Sequence, residues 1–242
     1  MIKNWLCTGD THGHVCERLE KLNGYFLPSE TALIILGDAG LNFYLNKTDS
    51  KNKVQISATG YTIYCVRGNH EERPENIFSM EEYWDYEVEG YVWYEPEFPN
   101  IKYLKDGEEY IINKMRTLVI GGAYSVDKWH RLNGAPADAK WTGWFKDEQL
   151  TETEMREITD RVAGRNFDLV LSHTCPYSWQ PFDLFLPFVD QSSVDKSMEL
   201  WLEELKEKIS FNQWIFGHFH QDRIINEQAQ MLFSGITELK RI

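Results

Sequence analysis

The chain has 242 residues, 42% hydrophobic, 26% charged and 14% aromatic, which is enough apolar material for a substantial core with no disulfide or metal staple. Ordinary counts of 16 Gly and 8 Pro exclude a fibrous or low-complexity protein. Twenty-five Lys and Arg against 38 Asp and Glu give a formal charge of -13, a field that argues against strong nucleic-acid binding but leaves room for a small anionic substrate at one concentrated cationic site.

The N-terminal MIKNWLCTGD reaches turn and charged residues too soon for a secretory signal, and no apolar run has membrane-spanning length. Short apolar, β-branched runs then recur at 2–7, 32–36, 62–66, 117–120, 169–171 and 214–216. Each ends in small or polar residues, the pattern of strands buried on both faces. Between them the sequence predicts helices. One follows His14, with Val15, Leu19 and Leu22 on one face and Asn23-Gly24 as its stop. A second covers 151–162, opened by Thr and acidic residues, and a third covers 195–209 with Leu202, Leu205 and Ile209 on one stripe. The stretch 81–110 is aromatic and acidic without a clean period and is expected to hold loops and a hairpin. The stretch 222–239 reads as strand-rich with a turn near 226–228. A single α/β domain over 1–242, with two sheets and helices outside, is the economical arrangement.

The segment 175–189, C-P-Y-S-W-Q-P-F-D-L-F-L-P-F-V, is apolar and aromatic, but three prolines oppose a regular helix. A buried loop, a lid or substrate wall beside His173, and a dimer contact are all open. Four Cys, at 7, 16, 65 and 175, form no C-x-x-C pair, so reduced thiols in a cytoplasmic protein are expected.

The chemistry is concentrated just past the strand ends. His12, His70, His173, His218 and His220 fall there, as do Asp10, Asp38 and Asn69. Loops at the carboxyl ends of strands converge in α/β sheets, so residues distant in sequence become neighbours. Neutral imidazoles and carboxylates suit borderline divalent ions, whereas a thiolate site would need clustered Cys.

In chain order the blocks read G9-D10-T11-H12-G13, G37-D38, G68-N69-H70-E71, S172-H173 and G217-H218-F219-H220. Five blocks in this order, spanning Asp10 to His220, resemble the calcineurin-like metallophosphoesterases. The resemblance implies a four-layer α/β/β/α sandwich with two central mixed sheets and a dinuclear site at the sheet edges. It assigns one metal to Asp10, His12, Asp38 and His220, and a second to Asp38, Asn69, His173 and His218, with Asp38 bridging. Two divalent or mixed-valence ions are implied, with Mn, Fe and Zn foremost. The implied reaction is in-line attack on phosphorus by a metal-bridging hydroxide, with His70 as general acid. Two divalent cations bring four positive charges against the two carboxylates Asp10 and Asp38, so the pocket of an acidic protein stays cationic.

Arg67 extends the third block to R-G-N-H-E, as in the protein Ser/Thr phosphatase branch, where it is expected to clamp phosphate oxygens alongside Asn69 and His70. That branch places a second Asp after G-D to steady the acid His; here G37-D38-A39-G40-L41-N42 puts Leu41 in its place, leaving Asn42 or Glu71 to substitute. Beyond 120, the Gly121-Gly122-Ala123-Tyr124-Ser125 loop is a candidate for close approach to the site, and Trp129, His130 and Arg131 are candidates for its rim. The expected activity is hydrolysis of a phosphate monoester in a phosphoprotein, nucleotide or small metabolite. A phosphodiesterase and a noncatalytic metal-binding module are the alternatives.

Overall fold

A computed structural model of the chain describes residues 1–134, 142–185, 187 and 189–241. In order, the elements are β1 (Asn4–Thr8), α1 (Val15–Glu20), β2 (Thr31–Leu36), α2 (Lys47–Ser57), β3 (Thr62–Val66), β4 (Glu81–Asp85), β5 (Gly90–Tyr94) and β6 (Ile101–Leu104). They continue with β7 (Glu109–Ile112), β8 (Met115–Ile120), α3 (Lys128–Gly134), α4 (Glu152–Val162), β9 (Asn166–Ser172), α5 (Ser197–Lys208), β10 (Ser210–Phe216), β11 (Arg223–Ile224), β12 (Ala229–Met231) and β13 (Ile236–Glu238).

Among the described residues these strands form two mixed sheets. One runs β13-β1-β2-β3-β6-β5-β4 and the other β11-β12-β10-β9-β8-β7. The central strands of each pair in parallel, and antiparallel strands close the edges.

The alternation of side chains along each strand explains the layering. Cys7, Ile34, Leu36 and Val66 point inward and meet Val119, Leu171 and Ile215 of the second sheet. Their neighbours Leu6, Leu33, Ile35 and Ile63 point outward onto Val15 and Leu19 of α1 and Ile56 of α2. On the other side Leu118, Ile120, Val170 and Trp214 pack under Met155 and Ile158 of α4 and Leu202 and Leu205 of α5. Both faces of both sheets are therefore covered, giving the expected α/β/β/α sandwich. No helix among the described residues is long and apolar enough to cross a membrane.

The expected helices after His14 and over 151–162 and 195–209 all form, with α1 stopping at Glu20 while Leu22 still packs in the outer core. Thr151 caps α4 through a reciprocal bond with Glu154. The sequence reading missed α2, a polar segment with no apolar stripe. It is held instead by its Asn46 cap, whose side chain accepts from Thr48 N at 2.8 Å, and by the buried Asp49 carboxylate, which accepts from Leu45 N at 2.7 Å. The stretch 81–110 contains the expected hairpin, β4–β5, and also a further strand that joins the first sheet. The aromatic segment after Cys175 folds into short single turns; its Leu186 and Phe188 lie outside the described residues.

Candidate metal centre

Parallel register brings the ends of β1, β2 and β3 level in one sheet, and those of β8, β9 and β10 level in the other. The first set delivers Asp10, His12, Asp38, Asn69 and His70; β9 and β10 deliver His173, His218 and His220. The sheets are joined at this edge. His173 Nδ1 lies 2.7 Å from the carbonyl oxygen of Leu36, to which only an N–H can bond. A Cβ on Gly37, which has φ of +94°, would lie 2.0 Å from that nitrogen, so glycine is required at this contact.

Two groups of metal-capable atoms result, Asp10 with His12 and His220, and Asp10 with Asp38 and His173; within each, the ligand atoms lie within 4.8 Å of one another. In the first, His220 Nε2 is 3.3 Å from Asp10 Oδ2, and the Nε2 atoms of His12 and His220 are 2.9 Å apart. In the second, His173 Nε2 is 2.8 Å from Asn69 Oδ1 and 3.7 Å from Asp38 Oδ1. His218 lies beside it, its ring centroid 5.0 Å from that of His173. The carboxylate common to both groups is Asp10.

The donor set fits divalent cations. Because His173 Nδ1 is committed to the Leu36 carbonyl, Nε2 is the ring nitrogen left to face the oxygens of Asn69 and Asp38. The Asn69 amide is fixed in this sense, since its Nδ2 donates to Ser125 Oγ at 2.8 Å. One imidazole nitrogen, one amide oxygen and one carboxylate converge here, a donor set that suits a divalent cation. Burial, and then His173, push the His218 pKa down to about 3, so His218 presents a neutral imidazole. Burial opposes ionisation of Asp10, but the His220 hydrogen bond and the neighbouring imidazoles outweigh it and hold the carboxyl well below its ordinary value. All four Cys are free, and none belongs to either group.

The backbone is strained at the same place. His12, Asp38, His218 and His220 have φ of 46°, 49°, 69° and 52°, the left-handed region that side chains with a Cβ avoid. Such residues cost about 1–3 kcal/mol each and persist where the surrounding structure holds them.

The remaining site residues divide. His70 lines a cavity of about 490 Å³ in front of the cluster, together with Asp38, Asn69, His218 and His220. Burial lowers its pKa, with Asp38 acting in the opposite sense. Arg67, expected at the phosphate, donates from Nε to Asp106 at 2.7 Å and from Nη1 to the Glu148 carbonyl at 2.8 Å, leaves Nη2 without a partner among the described residues, and is not among the residues that line the cavity. Leu41 belongs to the outer core. The suggested substitutes do not reach His70, because Asn42 Oδ1 accepts from Lys53 and Glu71 accepts the Gly68 N–H, and the buried His70 Nδ1 has no hydrogen-bond partner among the described residues.

The loop after β8 does approach the site. Ser125 binds Asn69 and in turn donates to Glu148 Oε2 at 2.5 Å, while its backbone N–H donates to Glu148 Oε1. Glu148 was not legible as a site residue, since it lies in a loop with no motif around it. Asp127 was also missed, since it lies seven residues past the end of β8 and not directly at a strand end. It lines the cavity and accepts from Arg131 Nε at 2.7 Å.

Among solved structures, a protein serine/threonine phosphatase from Saccharomyces cerevisiae, described as similar to human phosphatase PP5, aligns with 95% of this chain at 13% identity and a TM-score of 0.34. The chain spans 66% of that protein's length. No curated protein matches the chain. The calcineurin-like phosphoesterase family profile matches residues 4–222, which include every block at the sheet edge. This match identifies the chain as a member of the calcineurin-like phosphoesterase family, with a metal-capable Asp/His cluster at the carboxyl ends of its paired sheets.

Proposed function

We propose that the protein hydrolyses a phosphate monoester, using two divalent cations of the Mn, Fe or Zn type. The observation that carries this reading is the convergence of His173 Nε2 with Asn69 Oδ1 and the Asp38 carboxylate, beside a second group formed by Asp10, His12 and His220. When bound, the cations supply Lewis acidity to phosphoryl oxygens and lower the pKa of water.

The chain's own residues do the rest. Asp10, His12 and His220 hold one cation, and Asp10, Asp38, Asn69, His173 and His218 hold the other. His70, next to Asn69 and facing the cavity, donates a hydrogen bond and then a proton to the leaving oxygen. Ser125 keeps the Asn69 oxygen turned inward. Arg67 serves as a brace between its own loop and the Glu148 loop rather than as a phosphate ligand. The substrate is a small molecule or a phosphorylated protein side chain.

The test is a chelated and metal-reloaded preparation assayed on p-nitrophenyl phosphate and on bis(p-nitrophenyl) phosphate. Preferential turnover of the monoester is expected; preferential diester cleavage, or two bound metals with no turnover of either, overturns the reading.

A further inference from the structure

The cavity in front of the ligand cluster is not built like a polyphosphate site. Apart from the histidines, Lys196 is the one cationic side chain that lines it among the described residues, against Asp127, Asp195 and Glu199. With Asp127 engaged by Arg131 and Lys196 facing Asp195 and Glu199, no surplus of positive charge is left there to receive a second phosphate or carboxylate. Recognition of an anion is left to the ligand cluster at the cavity floor.

The wall is aromatic, and its rings are ordered. Phe182, 49% exposed and outside the lining, lies 5.4 Å between centroids from Phe185, which does line the cavity. Phe185 stacks on Phe219 at 6.3 Å with an interplanar angle of 20°. Phe219 meets the His218 ring edge-on at 4.9 Å. Phe185, Phe219 and His218 thus form a row of three rings along the cavity to the ligand cluster, and Leu184 extends its apolar surface. A planar group entering beside it finds offset-stacked and edge-on positions along its whole length.

We propose that the protein takes the monophosphate ester of an aromatic alcohol: the phosphoryl group lies at the ligand cluster, the ring lies along Phe185 and Phe219, and no second anionic group is carried nearby. The inference rests on the phosphomonoesterase reading and narrows it. A small aryl phosphate and a phosphotyrosine side chain share this chemistry.

Aryl phosphates are intrinsically better leaving-group substrates, so the test compares non-hydrolysable inhibitors. Benzylphosphonate, a peptide containing phosphonomethylphenylalanine, methylphosphonate and 2-carboxyethylphosphonate are titrated against Mn²⁺-loaded protein turning over p-nitrophenyl phosphate. At least one of the aromatic inhibitors is expected to bind about tenfold tighter than methylphosphonate, the scale of one ring buried against an apolar wall. The tighter of the two names the source. The carboxylate compound is expected to bind no better than methylphosphonate. Phe185→Ala should bring the aromatic-to-methyl ratio towards one; should that variant melt early, Leu184→Asp is read on the same ratio. A protein that hydrolyses p-nitrophenyl phosphate but shows no aromatic preference, or keeps it in both variants, overturns the substrate assignment alone. A protein that retains no metal and hydrolyses no phosphate ester defeats the phosphomonoesterase reading instead.

Discussion

Asp10 Oδ1 accepts the backbone N–H of His218 at 2.8 Å, so the carboxylate at the end of the first strand also holds the loop that follows the tenth. Asp38 Oδ1 does the same for the N–H of His70. In Asp10 this leaves Oδ2 to face His220, whereas in Asp38 the same Oδ1 both holds the loop and lies 3.7 Å from His173 Nε2.

Asparagine at either position can keep the oxygen that holds the loop and lose the anionic charge. Asp10→Asn is expected to lower metal content at both sites, because Asp10 belongs to both ligand groups. Elemental analysis after chelation and reloading reads the result: the ratio should fall from about two metals per chain towards zero. A variant that keeps both metals shows that Asp10 is not the shared ligand.

His70→Asn should leave metal content unchanged while kcat falls by about 10²–10⁴-fold, the range for loss of a general acid. The loss should be smaller for p-nitrophenyl phosphate, whose leaving oxygen needs little protonation, than for an alkyl phosphate. An equal loss on both substrates counts against the proton-donor role.

Ser125→Ala frees the Asn69 amide, and Glu148→Gln weakens the hold on Ser125. Metal affinity should drop about 10–100-fold in each, as for other groups that orient a ligand from behind. Competition with a fluorescent chelator measures it; unchanged affinity in both variants shows that the chain of bonds is structural only.

Glu199 is 3% exposed, and burial pushes its pKa up to about 7 from an ordinary 4.5. Between those values the folded protein holds a proton that the unfolded chain has released, so stability falls as pH rises through that window. Glu199→Gln keeps an acceptor for Thr174 Oγ1 and removes the titration. Its melting temperature should vary less than the parent's from about pH 5 to about pH 7.5, a term worth up to about 3 kcal/mol. Parallel slopes in the two proteins exclude Glu199 as the source.

Gly37→Ala drives a methyl group into His173 Nδ1 and places a Cβ at φ of +94°. A loss of about 2–4 kcal/mol is expected, together with weaker metal binding, because the ring must move off Leu36. Denaturant unfolding of the metal-free protein isolates the first effect; parental stability shows that the loop gives way freely.

Periodicity carried the central strands and most helices because their side chains divide cleanly between two cores, as Ile34 and Leu36 do against Leu33 and Ile35. It did not carry α2, whose stability comes from a cap and from buried Asp49 and Lys53 rather than from an apolar face. At the site, the strand-end positions of Asp10, Asp38 and the histidines were legible because parallel strands gather their loops at one edge. The orientation of Arg67 was not, because nothing in R-G-N-H-E says that Asp106 and the Glu148 carbonyl will take up its guanidinium. Glu148 itself was invisible for the same reason: its role depends on a loop path rather than on a spacing.

The four left-handed residues His12, Asp38, His218 and His220 set a conflict between endurance and chemistry. Glycine at any of them would ease the chain and erase a donor. Selection for a hardier fold alone would thus strip the protein of its reactive centre one relaxed turn at a time, and what keeps these awkward turns in place is the use to which their side chains are put.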